Sequence, residues 1–242
     1  MKNILFTLAL LVSFNSFGQY VKQGLVTNYY KSGAVFSQSN YVDGKLQGSY
    51  IEYYESGVVR CKASFVENKF QGEYIGYYES GSVKSKASFV ENKFQGESIE
   101  YYENGKVHTV CNYVDGKKQG IKMMYDDSGR VLTQVNFVDG KPQYGMSYYE
   151  TGEVANKTTY THLDGKQESK GIGYYKSGEI ASKINYVNGL RQGQVIEYYK
   201  SGEIKSEYNC VDDLEQGERI YYTIDGEKEK IENYKDGVLI EE

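Results

Sequence analysis

Tryptophan is absent from this chain, proline occurs once (Pro142), histidine twice and cysteine three times. Each shortage closes a class of explanation. His108 and His162 stand two units apart in the repeat described below and cannot share a metal, and a zinc site needs three or four ligands together. Each reads as a solvated strand residue. Cys61, Cys111 and Cys210 are an odd number, so one is left over from any pairing. Cys61 and Cys111 are separated by four strands, about 19 Å at ordinary strand spacing, whereas a disulfide needs Cα atoms within about 7 Å. All three read as small core residues.

Charge of one sign is not gathered anywhere. The net charge is −5, and an acidic chain without a basic stripe is poorly suited to a nucleic-acid backbone or an anionic lipid surface. There is no phosphate-cradling glycine loop before a helix, and no Ser-His-Asp or Cys-His set. Asp126-Asp127-Ser128-Gly129 and Asp212-Asp213 lack the alternating carboxylates of a calcium loop and read as turns. No enzyme, cofactor or metal site is expected. A long apolar run is missing too. Ile4–Val12, after Lys2 and before the small-x-small pattern Ser16-Phe17-Gly18, is too short to span a bilayer and has the grammar of a signal peptide over residues 1–18. No cysteine follows to carry a lipid. The expectation is a mature chain over residues 19–242, secreted or held in the periplasm or cell envelope, without stable membrane insertion.

Tyrosine and glycine, at 27 each, are abundant, a balance that suits short strands and tight turns better than a helical core. They recur as one motif. YYESG stands at Tyr53–Gly57 and Tyr77–Gly81, and YYKSG at Tyr29–Gly33, Tyr174–Gly178 and Tyr198–Gly202. YYENG stands at Tyr101–Gly105 and YYETG at Tyr148–Gly152, with worn copies at Tyr125–Gly129 and Tyr222–Gly226. The motif glycines fall 24 residues apart except for one interval of 23 and one of 26. The 26-residue interval carries extra residues around Tyr160-Thr161-His162. KASFVENKFQGE occurs twice, at Lys62–Glu73 and Lys86–Glu97, as if a whole module had been duplicated. A fixed period of this length indicates a stacked repeat array.

Tyr stands four before the glycine in all nine copies; an apolar residue stands six before it (Ile51, Ile75) except at Thr27, Val or Ile two after it in eight copies, and Tyr or Phe eight after it except at Cys210. Alternation bounded by turn residues gives two short strands per unit. Glu55-Ser56-Gly57 fits a three-residue hairpin loop closed by a left-handed glycine. That register predicts Tyr53 opposite Val59 and Ile51 opposite Cys61, with the even offsets on one buried face. Asp43-Gly44 and its counterparts turn the chain into the next unit. The expected fold is all-β: an elongated, single-layer antiparallel meander of about nine hairpin repeats, an open twisted sheet roughly 80–90 Å long.

The unit G-x-Y-x-E-Y-Y-x-x-G-x-[VI]-x-x-x-x-x-[YF]-V-[DE]-[GN]-K-x-x-G, carried for example by Gly48, Tyr53, Tyr54, Gly57, Tyr113, Asp115, Gly116, Lys117 and Gly120, resembles the MORN repeat in its bacterial variant form. It differs from the usual pattern in its Tyr-Tyr pair and its lack of Trp. Proteins with this variant are grouped as YwqK-family antitoxins of toxin–antitoxin systems. The resemblance implies a hairpin-repeat scaffold that binds proteins, or in some members lipid, without catalytic residues.

The second tyrosine of each pair (Tyr30, Tyr54, Tyr78, Tyr102, Tyr149, Tyr175 and Tyr199) is one residue out of phase with the first and points to the opposite face. There it is expected to form a ladder with Glu52, Glu100, Glu197, Arg60, Lys84, Lys62 and Lys86. Such a row either shields the open sheet or recognises an extended partner, since Tyr is favoured at interfaces. The expected function is that of an exported, non-enzymatic scaffold binding another protein through this face. Binding of a cell-envelope glycan by the same ladder, or antitoxin-like neutralisation of a toxin, are the alternatives. The charges at Lys228–Lys230 and Glu241-Glu242 guard one sheet edge against pairing, and a monomer is expected.

Overall fold

The computed structural model describes residues 21–163 and 165–241; the expected signal peptide lies outside them. The described residues are all-β, with twenty-one strands and no helix. The chain divides into two compact units, one of residues up to 119 with 127–129, the other of residues 120–126 and from 130 onward. Within each, successive strands pair antiparallel as a meander in one layer. The expected class is therefore what the chain adopts.

The hairpin loop at YYESG is a three-residue one. Tyr54 N donates to Val58 O (2.8 Å) and Gly57 N to Tyr54 O (2.9 Å). Gly57 has φ 87°, a left-handed conformation that glycine reaches without steric cost. Tyr53 faces Val59 as expected. One step further the register shifts: Glu52 faces Cys61, Arg60 is left as an extra residue, and Ile51 faces Lys62 rather than Cys61. The same shift recurs between Gly76 and Tyr77 and between Glu197 and Tyr198. A β-bulge of this kind reverses the parity of everything beyond it. The expectation that all even offsets share one buried face is wrong for that reason.

One face carries Glu52, Tyr50, Cys61, Ala63 and Phe65, and it includes nearly all the deeply buried side chains: Ser37, Ser39, Cys61, Ala63, Phe65, Ala87, Cys111, Val195, Ser206 and Cys210. The other carries Tyr53, Val59, Ile51 and Lys62, where Ile and Lys alternate from strand to strand as Ile51, Lys62, Ile75, Lys86 and Ile99. The first tyrosine is thus half-buried on a lysine-bearing face, not a core residue. It covers the preceding strand: Tyr77, Tyr174 and Tyr198 lie under Lys62, Lys157 and Lys183, 5.2–5.9 Å from ring centre to ammonium. Tyr53 and Tyr148 donate instead to Gln38 and Gln134.

The buried face is filled by small residues and by a line of rings. Phe65, Phe70, Phe89, Phe94 and Tyr113 follow one another at centroid separations of 4.2, 5.3, 4.4 and 4.9 Å. Tyr50 and Tyr74 meet Phe65 and Phe89 edge-on. Such contacts add to the area they bury. The three cysteines are buried free thiols, as their reading as core residues requires. Burial, and then Glu52, push the Cys61 thiol up to about 11.

At the opposite end of the strands the turns are stitched to their predecessors. Glu67 and Asn68 both have positive φ (49° and 69°), the two-residue geometry that suits strand twist. Asn68 N donates to Leu46 O (3.0 Å), Leu46 N to Asn68 Oδ1 (2.7 Å), and Glu67 N to Gln47 Oε1 (3.0 Å). Asn92, Phe70, Glu91 and Gln71 repeat the set one unit on.

The parity reversal has a direct test. Phe65→Ala should cost about 3 kcal/mol in chemical denaturation, as expected for a buried ring. Val66→Ala, on the other face and 46% exposed, should cost less than about 0.5 kcal/mol. Equal costs would restore the rejected arrangement.

Candidate functional site

The bulge that reverses parity also leaves a backbone group without a ladder partner. Pairing between the strands Val35–Val42 and Lys45–Tyr53 stops at Ser37 and Glu52, one residue short of Tyr53. The Tyr53 carbonyl, beyond that register, accepts a hydrogen bond from the hydroxyl of Tyr30 (2.7 Å). The arrangement recurs with the period of the sequence. Tyr54 donates to Tyr77 O (2.8 Å) and Tyr78 to Tyr101 O (2.7 Å) in the first unit. In the second, Tyr149 donates to Tyr174 O (2.6 Å), Tyr175 to Tyr198 O (2.5 Å) and Tyr199 to Tyr222 O (2.8 Å). Each of these six second tyrosines therefore reaches across to the next repeat and closes its open carbonyl. A half-buried polar group that would otherwise lack a partner is satisfied.

In the first unit the extra residue of the bulge lies on the same ring. Phe36 meets Tyr30 edge-on at 5.1 Å, Arg60 lies 5.9 Å from Tyr54, Lys84 5.6 Å from Tyr78, and His108 4.6 Å from Tyr102. In the second unit the lysine comes from the following motif: Lys176 over Tyr149 and Lys200 over Tyr175, at 5.6 and 5.7 Å. Cations at these distances are attracted by the ring faces. Arg60 also pairs with Glu52 (2.8 Å), which accepts from Tyr50. Burial, then Glu52, hold the Tyr30 hydroxyl above its ordinary range, so it stays a donor.

The structure brings the second tyrosines together with Glu52, Arg60 and Lys84, as the alternation implied. Lys62 and Lys86 are not with them; the bulge moves these to the first-tyrosine face. Nor is the ladder's face the open one, for it is the same face that holds the buried small residues. The hydroxyl locks were missed by sequence reasoning. Their signal was present in the 23-residue step from each second tyrosine to the first of the next pair, but a step of that size says nothing about which atom is reached. Among the described residues, no cluster of three or more His, Cys, Asp or Glu could hold a metal ion.

These features define a β-hairpin repeat protein whose units are joined by side-chain locks. Segments 22–43, 46–67, 70–91, 94–115, 167–188 and 191–210, more than half the chain, match the MORN repeat variant. The chain belongs to that family and is a MORN repeat scaffold. No curated protein matches the sequence. Among solved structures, TcdB2-TccC3 aligns with 87% of this chain and 14% of its own, at 12% identity and a TM-score of 0.21. The Photorhabdus luminescens Tc holotoxin pore aligns with 88% of this chain and 13% of its own, at 13% identity and 0.21. The chain spans about one seventh of the length of those proteins.

Removing single hydroxyls isolates the lock. Tyr54→Phe and Tyr78→Phe should each cost about 1 kcal/mol, measured by urea denaturation with the ring retained. Tyr54→Ala should cost clearly more, because it also frees Arg60 from its ring. Phenylalanine variants as stable as the parent would show that the Tyr77 and Tyr101 carbonyls need no partner.

Proposed function

We propose that this protein is an exported, non-enzymatic scaffold that binds another protein along the row of second tyrosines, Tyr30, Tyr54, Tyr78, Tyr102, Tyr149, Tyr175 and Tyr199. The observation that carries this reading is the pinning of the rings. Six of these hydroxyls are tied to the next repeat, so the aromatic surfaces are held before any partner arrives. A pre-ordered ring avoids the side-chain entropy that binding otherwise costs, about 0.5–1.5 kcal/mol for each mobile side chain. Tyrosine and arginine are the side chains that most often dominate binding surfaces. Arg60, Lys84, Lys176 and Lys200 beside the rings suit an extended partner segment bearing carboxylates. The leader grammar of residues 1–18 supports export, and with it a partner in the cell envelope or outside the cell.

Structural and recognition roles separate because one uses the hydroxyl and the other the ring and cation. Affinity capture from envelope extracts, quantified by mass spectrometry, should retain the same partner with Tyr54→Phe/Tyr78→Phe as with the parent. Charge reversal at Arg60, Lys84 and Lys200 together should reduce capture by about tenfold or more, equivalent to about 1.4 kcal/mol, without loss of the cooperative melt. Undiminished capture by the charge-reversed protein would remove the row from the binding surface.

A further inference from the structure

The longest interval between motif glycines coincides with a departure in the buried face of the second unit. In the first unit that face is continuously filled. Phe70 lies between Phe65 and Phe89, and Gly76, which lacks a side chain, is covered by Tyr74, whose hydroxyl is 3.3 Å from where a Cβ would stand. The repeat over Lys166–Tyr174 makes two changes at once against that one. Gln167 stands in the place of Phe70, Gly171 in the place of Tyr74, and Gly173 again has no side chain. The register is altered as well. The strands Val154–Leu163 and Lys166–Tyr174 pair without a shift from Asn156↔Gly173 to Leu163↔Lys166, so Ser169 replaces the left-handed glycine found at Gly72 and Gly96.

What remains is a cavity of about 450 Å³, within the ~300–1,000 Å³ range of small-molecule sites. Its lining includes Gly171 and Gly173, the rings of Tyr160 and Tyr186, and the polar side chains of Asn156, Thr158, Ser169 and Ser182. The glycines are fixed by their surroundings. A Cβ at Gly173 would stand 2.6 Å from Ser182 Oγ, and one at Gly171 3.3 Å from Tyr186 Cε2. Ser169 is 8% exposed. A serine hydroxyl that lines a cavity can both donate to and accept from a group that enters it.

We propose that this cavity is a binding site for a neutral saccharide. No lining residue carries a charge, which disfavours phosphates, carboxylates and amines, since none would find a counter-charge. Serine, threonine and tyrosine hydroxyls both donate and accept, and the asparagine amide offers one of each, matching the hydroxyls around a sugar ring. The two tyrosine rings supply apolar faces for the C–H faces of the ring. The site is independent of the tyrosine row and uses different side chains.

The test is titration calorimetry of the full chain with cellobiose, maltose, lactose and N,N′-diacetylchitobiose, with glucuronic acid and glucosamine as charged controls. One neutral sugar should bind with a dissociation constant below about 1 mM, and the charged sugars more weakly. Thr158→Val/Ser182→Ala should weaken binding by about tenfold or more while the melting temperature holds. Should that variant fail to fold, Asn156→Asp at an exposed position serves instead, its new charge again lowering the affinity. No heat with any neutral sugar at about 10 mM, tighter binding of a charged control, or unchanged affinity in a folded variant would each overturn the assignment.

Discussion

Everything in this array depends on one backbone carbonyl. A hairpin whose second strand gains a residue directly after the turn loses a ladder position, and the first tyrosine of the next motif is left with its C=O past the end of the pairing. A peptide carbonyl on the rim of a packed face must have a donor. Here it comes from the tyrosine 23 residues earlier, or 25 in the unit with the long interval. The bulge creates the need, and in the first unit the same bulge supplies the residue that covers the donor's ring. Strand pairing, bulge and aromatic lock are therefore one device. The Tyr-Tyr pair follows from it, since one tyrosine must lie on the preceding strand's side chain and the other must reach forward.

At the far end of the strands a different chemistry solves the same problem. There the amides of a left-handed turn need acceptors, and Gln47, Gln71 and Gln95 provide them. Two rows of side-chain hydrogen bonds, one from hydroxyls and one from amides, thus bracket the aromatic line formed by Phe65 to Tyr113. The unit is held to its neighbours at three levels across the strand. This explains how a single layer, with no second sheet or helix among the described residues, keeps small side chains such as Ser37, Ser206 and Cys210 almost wholly out of water.

The fold was legible because period and turn chemistry are local. Gly57 could be placed in its loop from three residues of sequence, and Tyr53 opposite Val59 followed. Arg60 is where reading stopped working. Nothing about an arginine three places after a turn glycine marks it as the extra residue of a bulge, and counting onward in twos then assigned Cys61 to the face of Ile51. The small residues Cys61, Ala63, Ser85 and Ala87, alternating with Lys62 and Lys86, held the contrary information. Small side chains can sit on either surface until packing is known, so they did not decide it. Likewise the second tyrosine's direction was readable from alternation, but its acceptor was not, because that carbonyl is left over only once the register is known. The cavity lined by Ser169 was announced solely by an irregular interval.

The tyrosine lock is directional. A unit with the Tyr-Tyr pair hands a hydroxyl forward and offers a carbonyl backward, so such a module inserted between two others receives one bond and gives one, and the count of locks rises by one without any interface being redesigned. The duplicated KASFVENKFQGE run is what such tolerance would leave in a gene. The unit at Thr223 cannot pass a bond on, because its short hydroxyl is turned back to accept from Glu227 N in its own loop. The array can lengthen from within, whereas at that unit the relay of hydroxyls stops.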